Sequence, residues 1–216
     1  MIKVIEIERE YGSGGGTIGS LLAERLGWRL LDQELTEEIA RLAKVEAEVV
    51  ENCDEKVDPL LYRLTKVFWR GSYERVMPIG ESYVFDADRM VQMVQQVMLK
   101  AAEKGNCVIV GRGAPWFLRG RADTFSTFLY APRVEKIRRL KSKTRAEEEA
   151  MELLDTVDTE RAAYIKRYFG KQWPTRPLYH VMLNTALGDE ICVSTILQMI
   201  QNISRLCDGT IHSTET

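Results

Sequence analysis

Between Lys3 and Glu8 the apolar Val4, Ile5 and Ile7 are interleaved with Lys3, Glu6 and Glu8, and glycines begin at Gly12. A short β-rich run closed by glycine predicts a strand over 3–8. Ile18, Leu21, Leu22 and Leu26 then recur at helical spacing until Gly27, a C-terminal stop. A second strand is predicted over 28–31. Leu35, Ile39, Leu42, Val45 and Val49 predict a helix over 34–51, and Met90, Val94, Val97 and Ala101 predict another over 86–104. The stretch 53–83 mixes aromatics, arginines, Pro78 and Gly80 and has no clear period. Cys107–Val110 is continuously apolar, as a strand covered on both faces must be, and predicts a third strand over 106–110. Further strands are predicted over 125–130 and 179–184, with charged helices over 133–169 and a final helix over 189–206. Strands separated by helices imply right-handed βαβ units and a three-layer α/β fold.

The chain is expected to form one domain over 1–208 followed by a frayed tail at 209–216, because no linker-like segment interrupts its 216 residues. Its 30 Lys and Arg nearly balance 32 Asp and Glu, for a net charge of −2, which argues against general binding to nucleic acid or anionic membranes. No run of 18 apolar residues occurs and the N-terminus lacks a leader pattern, so a cytoplasmic location is expected. Cys53, Cys107, Cys192 and Cys207 form no C-x-x-C pair, and His180 and His212 are the only histidines. Zinc sites and histidine-based hydrolysis therefore recede, and no protein metal ligand is assigned.

The chemistry concentrates in Arg9–Gly19, REYGSGGGTIG, between the first strand and an amphipathic helix. Glycines there let the backbone close around a phosphate, with N–H groups turned inward and the helix N-terminus adding positive potential. A tight turn that binds nothing would not need Gly12, Gly14, Gly15 and Gly16 together. Gly14, Gly16 and Gly19 also fit the G-x-G-x-x-G of dinucleotide folds, with Asp32 as the ribose acid. That template expects its next strand within about 30 residues, whereas a long, mostly helical stretch precedes the strand at Cys107. A phosphate loop is the better match.

Together with GRG at 111–113, YAPRVEKIRR at 130–139, DTERAAYIKRY at 158–168 and LNT at 183–185, the loop resembles the cytidylate kinase-like family, relatives of the P-loop nucleoside monophosphate kinases. The resemblance spans most of the chain. It implies a five-stranded parallel sheet in the order 2-3-1-4-5, a helical acceptor-binding insertion over about 33–105, and an Arg-rich lid over about 133–170. It implies ATP with Mg²⁺ as donor and a nucleoside monophosphate or similar small acceptor. Against G-x-x-x-x-G-K-G-T of ordinary cytidylate kinases, Gly12, Ser13, Gly14, Gly16 and Thr17 match, but Arg9 stands for the first Gly and Gly15 for the Lys. That Lys neutralises the β- and γ-phosphates, so its loss bears on catalysis more than on binding. Arg9 and the lid arginines are the candidates to replace it.

Arg112, just beyond the third strand, is placed to grip an acceptor phosphate. The related motif is Gly-Arg-Asp, and Gly113 removes its acid. Asp32 is the nearest candidate for organising Mg²⁺ or the acceptor; a helix N-cap is its plainer role. Seven of the thirteen residues from Arg133 to Arg145 are basic, a pattern that usually marks a solvated face. The resemblance makes Arg138, Arg139, Arg161 and Arg167 the catalytic lid candidates. Asp158 would orient Arg161 or cap a helix. Met90, Met93 and Met98 are read as core, and Phe68, Trp69, Tyr73, Tyr83 and Phe85 as core or dimer packing, with a homodimer left open. Three functions follow: an ATP-dependent phosphotransferase, a nucleotide-binding regulatory protein of the same fold, and, third, a dinucleotide-binding oxidoreductase.

Overall fold

The computed structural model describes residues 1–32, 87–141 and 147–207. Five strands, β1 (Val4–Arg9), β2 (Arg29–Leu31), β3 (Cys107–Val110), β4 (Thr124–Tyr130) and β5 (Val181–Asn184), form one sheet. Every pair is parallel and the order is β2-β3-β1-β4-β5, as the resemblance implied. The strand after the first helix thus lies beyond β3 rather than beside β1, which is not the dinucleotide-fold order. The oxidoreductase reading falls with it. Predicted strand ends hold to within two residues; β5 begins at Val181, after the 3₁₀ turn Arg176–Leu178 and two further residues, Tyr179 and His180.

Six helices are described: α1 (Gly15–Leu26), α2 (Ala87–Lys104), α3 (Ala114–Phe117), α4 (Arg133–Lys141), α5 (Glu147–Phe169) and α6 (Asp189–Cys207). The helix predicted over 34–51, the stretch 53–83 with its aromatics, and the tail at 209–216 lie outside the described residues. α1 ends where Gly27, at φ +65°, donates its N–H to the Ala23 and Glu24 carbonyls. Two apolar layers flank the sheet. Ile5, Ile7, Val108, Val110, Phe125 and Leu129 pack on Ile18 and Leu22 of α1 and on Val193 and Ile196 of α6. Val4, Cys107 and Ile109 pack on Val94 and Met98 of α2 and on Tyr164 and Ile165 of α5. Met93 and Met98 are buried, as expected. No described helix is long and apolar enough to cross a membrane.

Central position turns β1 into an unusual strand: all six of its residues are buried, including Glu6, Glu8 and Arg9. Glu6 Oε2 accepts the Ser126 hydroxyl, and burial, its chief perturbation, pushes the carboxyl up from its ordinary 4.5 to about 7. The folded state therefore favours the protonated form. Its contribution to stability is present below pH 4.5 and is lost as pH rises through 7, by on the order of 3 kcal/mol. Glu6→Gln is expected to flatten the dependence of unfolding free energy on pH between 5 and 8, read by urea denaturation. An unchanged slope would assign that dependence to other groups.

Candidate functional site

Arg9, Asp32, Arg112 and Thr185 follow or end separate strands, so the parallel sheet brings them to its one carboxyl edge. The phosphate loop crosses that edge. Ser13 donates its N–H at 3.3 Å and its hydroxyl at 2.8 Å to the Glu10 carbonyl, while Thr185 Oγ1 donates to the Ser13 carbonyl at 2.7 Å. Gly14 is the N-cap of α1 and provides no side-chain cap, and no acidic side chain sits in the first turn. The first-turn N–H groups are thereby kept for an outside acceptor, at the positive end of the helix dipole. Thr17 is exposed on that turn.

Arg9 explains the missing lysine. A Cβ at Gly15 would lie 2.7 Å from Arg9 Cγ and 3.0 Å from its Cβ, and one at Gly111 would fall on the Arg9 guanidinium itself. The Arg9 stem therefore runs over the position where a P-loop carries lysine, and its charged end reaches the turn after β3. Gly15 is glycine because Arg9 occupies the space. Gly111, at φ +76°, satisfies both a left-handed turn and this close approach.

Two more buried guanidinium groups surround Arg9. Arg112 sits in a left-handed conformation at φ +61°, uncommon for a residue with a side chain, and its Nη2 donates to the Asp32 carbonyl at 3.2 Å. Arg161 lies in the apolar stripe of α5 between Val157 and Tyr164, where Nη1 donates to the Arg9 carbonyl at 2.9 Å and to Asp158 Oδ1 at 3.0 Å. Burial chiefly, with Arg161 adding to it, lowers the Arg9 pKa to about 10; burial chiefly lowers that of Arg112 to about 10, against the opposing pull of Asp32. Both groups remain cationic at neutral pH. Arg9 is repelled by Arg161 and by Arg112, and a bound anion would relieve that repulsion. Glu8, Asp32 and Asp158 act on Arg9 with the opposite charge, and Asp32, 1% exposed, acts on Arg112 as well.

Helices α4 and α5 are bonded to the glycine loop. Asp158 Oδ1 accepts the Tyr11 N–H at 2.8 Å, and Lys136 Nζ lies 2.6 Å from Glu10 Oε2. Tyr11, Leu140, Leu154 and Val157 pack together beneath these contacts. Arg139 lies against Gly14, held by Glu135 Oε1 at 3.1 Å, Asp189 Oδ1 at 2.8 Å and the Thr185 carbonyl at 3.1 Å. The structure thus gathers Arg9, Arg112, Arg139, Arg161 and Asp32 around Gly12, Ser13, Gly14, Gly15, Gly16 and Thr17. It does not bring in Arg138, which is exposed and paired with Glu135, or Arg167, which is exposed with its guanidinium 5.7 Å from the Tyr168 ring centre. Sequence reasoning missed Glu8 and Trp173, which line the cleft with Arg9, Arg112, Arg161 and Tyr164. The signal for Glu8 was there: a charge inside the strand that leads into a phosphate loop is a charge inside the sheet.

Gly14→Val tests the loop. At φ +83° a β-branched side chain is strained, and its Cβ would fall on Arg139 Nη1. A nucleotide at 100 times its Kd stabilises a protein that binds it by about 2.7 kcal/mol. A folded Gly14→Val protein is expected to lose that shift in a thermal melt, and an undiminished shift would move the nucleotide elsewhere.

A sequence model of the cytidylate kinase-like family matches residues 4–187. No curated protein matches the chain. Among solved structures, an uncharacterized protein from Eubacterium ventriosum is 20% identical with a TM-score of 0.66, over 93% of this chain and 99% of that one. A sugar kinase from Janibacter sp. is 13% identical with a TM-score of 0.50, over 93% of this chain and 95% of that one. Both likenesses are of fold.

Proposed function

The chain belongs to the cytidylate kinase-like family, and on that premise we propose that it transfers the γ-phosphoryl group of ATP to a small acceptor bound beside Arg112. The observation that carries this reading is the course of Arg9, whose stem fills the space at Gly15 where a P-loop carries lysine and whose guanidinium is given room at the adjoining turn by Gly111. A loop that had merely lost its lysine would have no need to house a substitute.

The loop N–H groups from Gly12 to Thr17 would hold the donor phosphates. Arg9 and Arg161 would meet the charge that spreads over the moving phosphoryl, an interaction strongest where water is excluded. Arg139 would reach the same phosphates by exchanging its Glu135 or Asp189 contact for a phosphate oxygen, and Arg112 would grip an anionic group of the acceptor. Mg²⁺ is commonly held by one or two protein oxygens together with substrate phosphates. The Thr17 hydroxyl, exposed beside the loop, and the buried Asp32 carboxylate fit that need without a dedicated cluster of ligands, and Mg²⁺ so bound would neutralise phosphate charge. No covalent intermediate on the protein is required.

A nucleotide-binding regulatory protein is the second reading, favoured by the carboxylates that already engage Arg139. ADP release under saturating MgATP, measured across nucleoside monophosphates and small hydroxylated acceptors, separates the two. Transfer to one acceptor class supports the kinase; tight ATP binding with none phosphorylated overturns it.

A further inference from the structure

Cations serve the phosphates of such a reaction, but an alcohol acceptor also has a proton to lose. Among the cleft-lining residues one carboxylate is suited to take it. Glu8, 4% exposed, lies near the carboxyl end of β1, on the face occupied by Val4 and Glu6 and opposite the face of Ile5 and Ile7. It lines the cleft with Arg9, Arg112, Arg161, Tyr164 and Trp173. Its Oε1 accepts the Arg9 N–H at 3.1 Å and stands 3.6 Å from Arg9 Nη1. No described residue donates a hydrogen bond to Oε2.

A second observation points to a ligand in the same cleft. Trp173 Nε1 is buried and has no hydrogen-bond partner among the described residues. A buried N–H left without an acceptor is costly and uncommon. A ligand oxygen seated in the cleft would satisfy it. The lining then offers one carboxylate and guanidinium groups, a proton acceptor and anion grips, beside the Trp173 ring.

That set discriminates between acceptors. The reacting oxygen of a nucleoside monophosphate is largely deprotonated at neutral pH, since the second phosphate pKa is about 6. It has no proton for Glu8 to remove, and a buried carboxylate beside it would repel it. An alcohol meets the same carboxylate as a hydrogen-bond donor.

We infer that Glu8 is the general base for a small alcohol acceptor that also carries an anionic group for Arg112, an inference that rests on the phosphotransferase reading above. In the step, the acceptor hydroxyl proton passes to Glu8 Oε2 as its oxygen bonds to the γ-phosphorus of the nucleoside triphosphate. The bond from that phosphorus to the β,γ-bridging oxygen breaks, and the nucleoside diphosphate leaves with the electron pair.

The test is ADP release under saturating MgATP with a panel of hydroxy acids and sugar phosphates against CMP, UMP, AMP and GMP. At least one alcohol is expected to be phosphorylated in preference to the monophosphates. Glu8→Gln is expected to lower kcat for it on the order of 10²-fold or more with little change in its KM, and Glu8→Asp to recover part of the loss. Transfer to monophosphates but to no alcohol overturns the inference and leaves the phosphotransferase reading standing, and this outcome is read on the unmodified protein even if Glu8→Gln does not fold. Unchanged kcat in a folded Glu8→Gln protein overturns it as well. ATP-induced thermal stabilisation with no acceptor phosphorylated overturns the phosphotransferase reading and this inference together.

Discussion

Arg9→Met is expected to lower kcat by roughly 30-fold to 1,000-fold, the range for removing one cation or donor that acts mainly in the transition state. Methionine keeps an unbranched stem over Gly15 and deletes only the charge, so the loop and its N–H groups stay in place. ATP-induced thermal stabilisation should accordingly persist, separating lost chemistry from lost binding. Arg138→Met is the control: that side chain is exposed, pairs with Glu135 and lies away from Gly15 and Gly111, so its turnover should stay near wild type. Equal losses in the two variants would mean that Arg9 is not the substitute for the P-loop lysine. Steady-state kinetics with a phosphorylated acceptor provide the measurement.

Gly15→Lys, which restores the residue found in ordinary P-loops, is expected to damage the protein. Its Cβ would lie 2.7 Å from Arg9 Cγ, and Gly15 is buried in the first turn of α1, so either the loop or the Arg9 side chain must move. Overpacking of this kind costs about 1–3 kcal/mol, and a displacement of about 1 Å at a reacting centre can lower turnover on the order of 10²-fold. The two residues compete for one volume, so their substitutions should not add. In Arg9→Gly/Gly15→Lys the lysine has the room that arginine vacates, and part of the activity should return. A Gly15→Lys protein with normal melting temperature and full turnover would show that Arg9 does not occupy this space in the working enzyme.

Different residues carried different amounts of legible information. The strands were readable because Cys107–Val110 is an apolar run, Phe125–Tyr130 is rich in aromatic residues, and glycines punctuate β1 and α1. The sheet order came from the family resemblance, since no local pattern says which strand lies beside which. The arginines of α4 and α5 show the limit most clearly. Arg138 and Arg139 are neighbours with the same chemistry, yet helical geometry sends Arg139 to Gly14, Asp189 and the Thr185 carbonyl and leaves Arg138 on the exposed rim. Arg161 and Arg167 on α5 divide in the same way, one buried and bonded to the loop, the other exposed.

Glu8 and Arg9 mark the boundary at its sharpest. Seen along the chain, they are adjacent opposite charges at the end of a short strand, and such pairs usually belong on a surface. Only the parallel order, with β3 on one side of β1 and β4 on the other, buries both and brings their charged ends to one cleft, 3.6 Å apart. The Arg9 stem passes Gly15 and its guanidinium reaches Gly111, where it lines the cleft together with Glu8, Arg112 and Trp173. By itself the sequence determined the α/β class, the glycine loop and the absence of its lysine, because periodicity and glycine placement are local properties of the chain. Which side chain fills the lysine's space, and which carboxylate lines the cleft with Arg112, was decided by tertiary structure, because both depend on burial and on approach between residues distant in the chain, such as Arg9 and Gly111.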